Sequence, residues 1–251
     1  MTQQRTLGLI VYAPSLEDDD GRALAIVQGM ERTLPGLRLA WTVSKEGQPI
    51  ALPQRDAWLA EGTQKGGFPL LCNGDENAPV TVYGSQLPAR QAPGGHALLD
   101  VHAELPLDEA TVVAAGDVLE SVAEHARAFW GHATPFRAGV EIARQTRDPI
   151  LKPGVPPRGL PALKLPEQIR SPEVPHRLGW LNYWSAAAAH AIGFPDPARD
   201  ADLLSRARRT VTGGWVIRLT DRPLDLDNPE HLGALLRTYE RFPEIGGRAA
   251  P

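Results

Sequence analysis

A chain of 251 residues with 42% apolar content can bury one large core or two small ones without staples. Its single cysteine, Cys72, excludes an intramolecular disulfide, and a formal net charge of -4 argues against a nucleic-acid partner, which needs a basic surface to displace counterions. The polar start, Met1 to Arg5, and the short apolar run Leu7 to Ala13 suit neither a signal-peptide core nor a membrane span, so a cytoplasmic protein with no membrane partner is expected.

In chain order, Leu7 to Tyr12 is an apolar run of strand length, and Asp18, Asp19 and Asp20 offer caps for a helix. That helix aligns Ala23, Ile26, Val27, Met30 and Leu34 before Pro35-Gly36. Leu37, Leu39, Trp41 and Val43 alternate with polar or small residues as in a half-buried strand, and 54–61 suits a short helix. Strands are predicted around Val80 to Tyr83 and after Pro93-Gly94-Gly95. In the latter, Leu99, Val101, Ala103 and Leu105 face one way and Leu98, Asp100, His102 and Glu104 the other. A long helix follows Asp108, with Val112, Ala115, Leu119, Val122, Ala126 and Phe129 in its stripe, ending near Gly131.

Prolines crowd residues 149–175 and forbid helix interiors or central strands there, while Ile150, Leu151, Leu160, Leu163 and Leu165 suggest a segment that packs along the fold. Regular structure resumes with a strand from Leu178 to Trp184, a helix capped by Ser185, and another opened by Asp200 that turns Leu203, Leu204, Ala207 and Val211 inward. Gly213-Gly214 leads into a strand through Trp215, Ile217 and Leu219, and Asn228-Pro229 starts a last helix with Leu232, Leu235, Leu236, Tyr239 and Phe242 on one side. The expected class is α+β, a mainly antiparallel sheet packed against helices. Its expected organisation is an N-terminal half (1–133), a Pro-rich extended connection (134–176) and a C-terminal half (177–251), which together could form one domain.

Charge is uneven. Residues 1–133 carry 9 Lys and Arg against 17 Asp and Glu, and 134–251 carry 17 against 13, which could steer a basic partner onto the acidic end.

Asp100, His102 and Glu104 share a strand face and are the best acid-base or metal constellation, although a solvated outer face accounts for them equally well. His125 and His132 lack the spacing of a zinc helix, and His132 is expected at a helix C-terminus. Asp225, Asp227 and Glu230 lie in an acidic loop whose spacing is not that of an EF-hand. Cys72 has no CxxC partner, and neither P-loop, G-x-G-x-x-G nor G-x-S-x-G occurs. Gly66-Gly67 reads as a turn. A protein without catalytic residues, cofactor or metal is therefore expected.

Four C-terminal segments carry a resemblance: Arg177 to Tyr183 (RLGWLNY), Gly213 to Thr220 (GGWVIRLT), Pro223 to Asn228 (PLDLDN) and Tyr239 to Gly247. Across 177–248 they resemble bacterial immunity proteins of type VI secretion and polymorphic toxins, the immunity protein 52 family among them. The resemblance implies structural roles for Trp180, Trp215, Gly179 and Gly214, and a stoichiometric inhibitor, monomeric or a small homo-oligomer, that binds a cognate toxin encoded by a neighbouring gene. Asp100, His102, Glu104, Asp225, Asp227 and Glu230 are the candidate partner-binding residues. The alternatives are a metal-dependent or acid-base enzyme using Asp100, His102 and Glu104, and a structural component of a secretion or phage-like assembly.

Overall fold

Strict alternation builds the centre of the fold. The computed structural model describes residues 5–17, 21–64, 67–146 and 156–249. In β1 (Thr6–Pro14) Leu7, Leu9, Val11 and Ala13 are buried, and in β6 (Leu98–Pro106) Leu99, Val101, Ala103 and Leu105 are buried. The strands pair antiparallel with Ile10 opposite His102 and Tyr12 opposite Asp100, so both apolar sets share one face. That face is covered by α1 (Arg22–Thr33), which buries Ala23, Ile26, Val27 and Met30, and by α3 (Glu109–Ala126), which packs on α1 and β1. Asp108 caps α3, its carboxylate accepting the Thr111 N–H at 2.8 Å. Asp18 to Asp20, the expected caps of α1, and Gly66 lie outside the described residues.

The remaining elements are β2 (Trp41–Val43), β3 (Pro49–Ala51), α2 (Arg55–Gln64), β4 (Phe68–Cys72), β5 (Thr81–Leu87), β7 (Trp130–Pro135), α4 (Phe136–Ala143), β8 (Leu181–Trp184), α5 (Ala186–Ala191), α6 (Ala201–Ser205), β9 (Ala207–Arg209), β10 (Trp215–Arg218) and α7 (Pro229–Arg241). The strands form one ten-stranded sheet in the order β3-β2-β4-β5-β6-β1-β7-β8-β10-β9, and every ladder in it is antiparallel. The α+β class expected from the mixed hydrophobic periods is the one observed. No helix among the described residues is long and apolar enough to cross a membrane.

Five local expectations are corrected. The stripe of α3 does not run on to Gly131, because Arg127 takes a left-handed conformation (φ 55°) at the helix end and the chain returns as β7. Every residue of β7 is buried, so the segment has no alternation from which a strand could be read. His132 accordingly sits in a central strand rather than at a helix end. Because β7 pairs with both β1 and β8, the sheet continues unbroken past residue 133.

The Pro-rich connection begins with a helix, α4, and then lays Leu160, Leu163 and Ile169 into buried positions. Pro149, Ile150, Leu151 and Pro153 lie outside the described residues. Of 37–43 only Trp41–Val43 is strand. Leu37 and Leu39 are buried before it, whereas Trp41 and Val43 face outward near the sheet rim. The helix opened by Asp200 stops at Ser205, and Val211 is fully exposed in the turn between β9 and β10.

Close strand packing makes Gly131 irreplaceable. A Cβ there would stand 2.5 Å from Val11 Cγ1 and 2.9 Å from the Ile10 carbonyl oxygen, a backbone atom that cannot rotate away. Gly131→Ala is expected to cost about 1–3 kcal/mol or more through overpacking, measured as a lower denaturant midpoint. An unchanged midpoint would mean β1 and β7 are looser than this spacing.

A polar belt across the second face of the sheet

The face turned away from α1 and α3 is built by strand register. Asp100, Tyr12, Trp130 and Trp184 lie side by side in one row across β6, β1, β7 and β8. Tyr83, His102, Ile10, His132 and Asn182 form the next row, and Glu104 with Gly8 and Thr134 the row beyond. Cover deepens along these rows. Glu104 is exposed, Asp100, His102 and Tyr83 are half-buried, and Trp130, His132, Asn182 and Trp184 are buried. At the deep end Phe194 and Phe242 meet the Trp184 ring edge-on at 5.2 and 5.3 Å between centroids.

The sequence-predicted trio therefore shares a face, as period-2 geometry requires. His102 Nε2 lies 3.2 Å from Asp100 Oδ2, and its ring stacks on Tyr83 at 5.1 Å. Burial, followed by the charges of Glu104 and Asp100, raises the Tyr83 phenol above its usual range. Among the described residues no three His, Cys, Asp or Glu side chains converge on a point that could hold a metal ion.

The deeper residues were invisible as a group in the sequence, because they come from separate elements. Trp130 stacks on Tyr12 at 4.2 Å, and His132 Nδ1 lies 3.2 Å from Thr134 Oγ1. From the segment before β8, His176 donates its Nε2–H to the Lys164 carbonyl at 2.9 Å, and Arg177 Nη2 donates to His176 Nδ1 at 3.3 Å. Burial first, then the charge of Arg177, lowers His132 to about 3 and His176 to about 4, so both imidazoles are neutral at physiological pH. Four buried polar atoms in this region have no hydrogen-bond partner: Asp100 Oδ1, Trp130 Nε1, His132 Nε2 and Arg177 Nε.

The acidic loop stands apart and is partly consumed inside the fold. Asp227 is bridged by Arg137 and Arg158, each at 2.6 Å, and Arg158 also holds Glu141 at 2.5 Å. The two arginines keep the Asp227 carboxyl below its ordinary range. Asp225 accepts the Asp227 N–H at 3.0 Å, and Asn228 caps α7 by accepting the Glu230 N–H at 2.9 Å. Asp225 and Glu230 remain exposed, whereas reversing the charge of Asp227 would break internal ion pairs and so test the fold together with any interface. Trp180 is buried and Trp215 partly so, in keeping with core roles. Gly179 permits close packing, since a Cβ there would lie 2.2 Å from Thr134 Oγ1. Cys72 is buried at the end of β4.

The fold is similar to that of a Pseudomonas aeruginosa T6SS protein, PA0821, with a TM-score of 0.56 at 17% identity, covering 94% of this chain and 72% of that one. No curated protein matches the chain significantly. Residues 18–250 match the family described as domain of unknown function DUF5953, and the chain belongs to that family.

Proposed function

We propose that this protein acts in type VI secretion as a stoichiometric inhibitor that binds and neutralises a partner toxin. The observation that supports its secretion context is the fold likeness to a T6SS protein, which extends over 94% of the chain. The resemblance of 177–248 to immunity proteins supports it independently. Neutralisation by binding asks for a complementary surface rather than a reaction centre. The shallow end of the polar belt offers one: exposed Glu104 beside half-buried Asp100, His102 and Tyr83, on the acidic half of the chain. These groups suit a basic partner surface.

The test is co-expression with the product of the neighbouring gene, scoring host survival and co-purification. Rescue with a stable complex is the expected result, and Glu104→Lys should weaken that complex by about tenfold with the fold unchanged. Toxicity that this protein does not relieve, with no complex formed, would refute the inhibitor reading. Large self-assemblies on size exclusion would favour a structural component instead.

A further inference from the structure

β9, the last strand of the sheet, is an open edge beside two cavities. Thr210 N–H donates to the Gly214 carbonyl at 2.8 Å and Arg218 N–H to the Arg206 carbonyl at 3.1 Å, so the even-numbered residues of the ribbon pair inward with β10. The N–H and C=O groups of Ala207 and Arg209 therefore point away from the sheet, and no described backbone group meets them. At the opposite edge the same alternation turns Pro49 outward, where it cannot donate and so blunts strand addition. β9 has no such block.

The first cavity, of about 520 Å³, runs from α3 to this edge and is lined by Val113, Arg206, Arg208, Arg218 and Asp221 among others. The second, of about 560 Å³, shares Arg206 and Asp221 with it and adds Arg222, Glu230 and Arg237. Each has room for a few side chains. Asp117 and Glu120 of α3 hold Arg208 at 2.7 and 2.5 Å, whereas Arg209, Arg218, Arg222 and Arg237 are exposed and make no ion pair with any described carboxylate. Against these four free cations stand two unpaired carboxylates, Asp221 and Glu230. The surplus is positive, on a chain whose net charge is -4.

These features select among occupants. A second copy of β9 would set arginine against arginine, which like charges on an edge strand oppose. Phosphate backbones would meet Asp221 and Glu230, and they have no use for Val113, which stands 78% exposed at the first cavity. A peptide supplies what both lack: main-chain groups for the edge, apolar side chains for Val113 and carboxylates for the free arginines.

We infer that the β9 edge and the two cavities beside it form a docking site for an extended, acid-rich segment of a partner protein. Its backbone pairs with Ala207 and Arg209, and its carboxylates face the unpaired arginines. This inference does not depend on the neutralisation reading, since any partner that carries such a segment fits.

The test is a titration of the isotope-labelled whole chain with the peptide acetyl-Glu-Val-Glu-Val-Glu-amide, read at the backbone amide resonances of Ala207 and Arg209. The expected result is a saturable shift of both amides, with affinity at least about tenfold weaker when Lys replaces Glu in the peptide. Arg218→Gln should weaken binding about threefold and the pair Arg218→Gln with Arg222→Gln about tenfold, both sites being exposed and free of internal ion pairs. No saturable shift up to about 5 mM peptide would overturn the inference, as would equal binding of the Lys peptide or unaltered affinity in the double variant. A short oligothymidylate that shifts these amides at lower concentration than the acidic peptide would assign the surface to nucleic acid and overturn it as well.

Discussion

Acidification from about pH 7 to pH 5 is expected to remove about 4 kcal/mol of folding stability, well above the range where ordinary carboxylates titrate. The loss comes from His132 and His176, both buried and both held neutral, at about 3 and about 4, by burial and by the Arg177 charge. The Lys164 carbonyl, accepting from His176, partly opposes the shift there. In the unfolded chain each imidazole returns to an ordinary value near 6.5 and takes up a proton as the pH falls. The folded state does not follow until the pH approaches the lowered values, so below about pH 6.5 the unfolded state binds more protons and stability falls with pH. Each histidine contributes about 2 kcal/mol at pH 5. Urea unfolding at several pH values measures this directly, and His132→Gln should remove about half of the pH dependence whatever it does to stability at neutral pH. A flat stability profile between pH 7 and pH 5 would show that one or both rings are hydrated or paired in the folded protein.

Loss of the Asp200 carboxylate is expected to cost about 3–5 kcal/mol, because it would leave a partly buried arginine without its counter-charge. Asp200 is fully buried and receives Arg241 Nε at 2.6 Å and Nη2 at 3.0 Å, with the Asp196 N–H at 2.7 Å. Arg241 is itself only 16% exposed, lies 4.5 Å over the Phe242 ring and donates to the Gly193 carbonyl at 3.1 Å. The pair therefore ties the start of α6 to the end of α7 beside the Trp184, Phe194 and Phe242 cluster. Asp200→Ala should lower the denaturant midpoint sharply, and the double variant Asp200→Ala with Arg241→Leu should recover much of the loss, since no unpaired charge then remains. If the single and double variants are equally destabilised, the energy resides in packing and in the Asp196 contact, and the ion pair contributes little.

Elements that touch solvent on one side were legible in advance. The alternation of β6, the caps Asp108, Ser185 and Asn228, and the stripes of α1 and α7 all follow from residue order, because one wet face and one dry face leave a periodic trace. β1 is legible only as an apolar run of strand length; its alternation emerges from the burial of Leu7, Leu9, Val11 and Ala13. The shared face of Asp100, His102 and Glu104 was legible for the same reason. Where both faces are dry the trace disappears. β7 merged into the stripe of α3, and with it His132 and Trp130 were misplaced, though they form the deep half of the belt. At the other extreme, Val211 reads as a core residue by spacing and lies in an exposed turn, because no partner surface reaches it.

By itself, then, the sequence determined the α+β class, the two-faced periodicity of β6 and of helices α1 and α7, and the uneven charge of the two halves, all of which are properties of neighbours along the chain. Only the tertiary structure decided that one sheet runs through both halves, and that Tyr12, Asp100, Trp130 and His132 lie side by side on its second face. It also decided that Asp227 is held by Arg137 and Arg158. The physical reason is common to all three: strand pairing, the field of a buried charge and the capture of a carboxylate by an arginine depend on distance through space, which residue order does not encode locally.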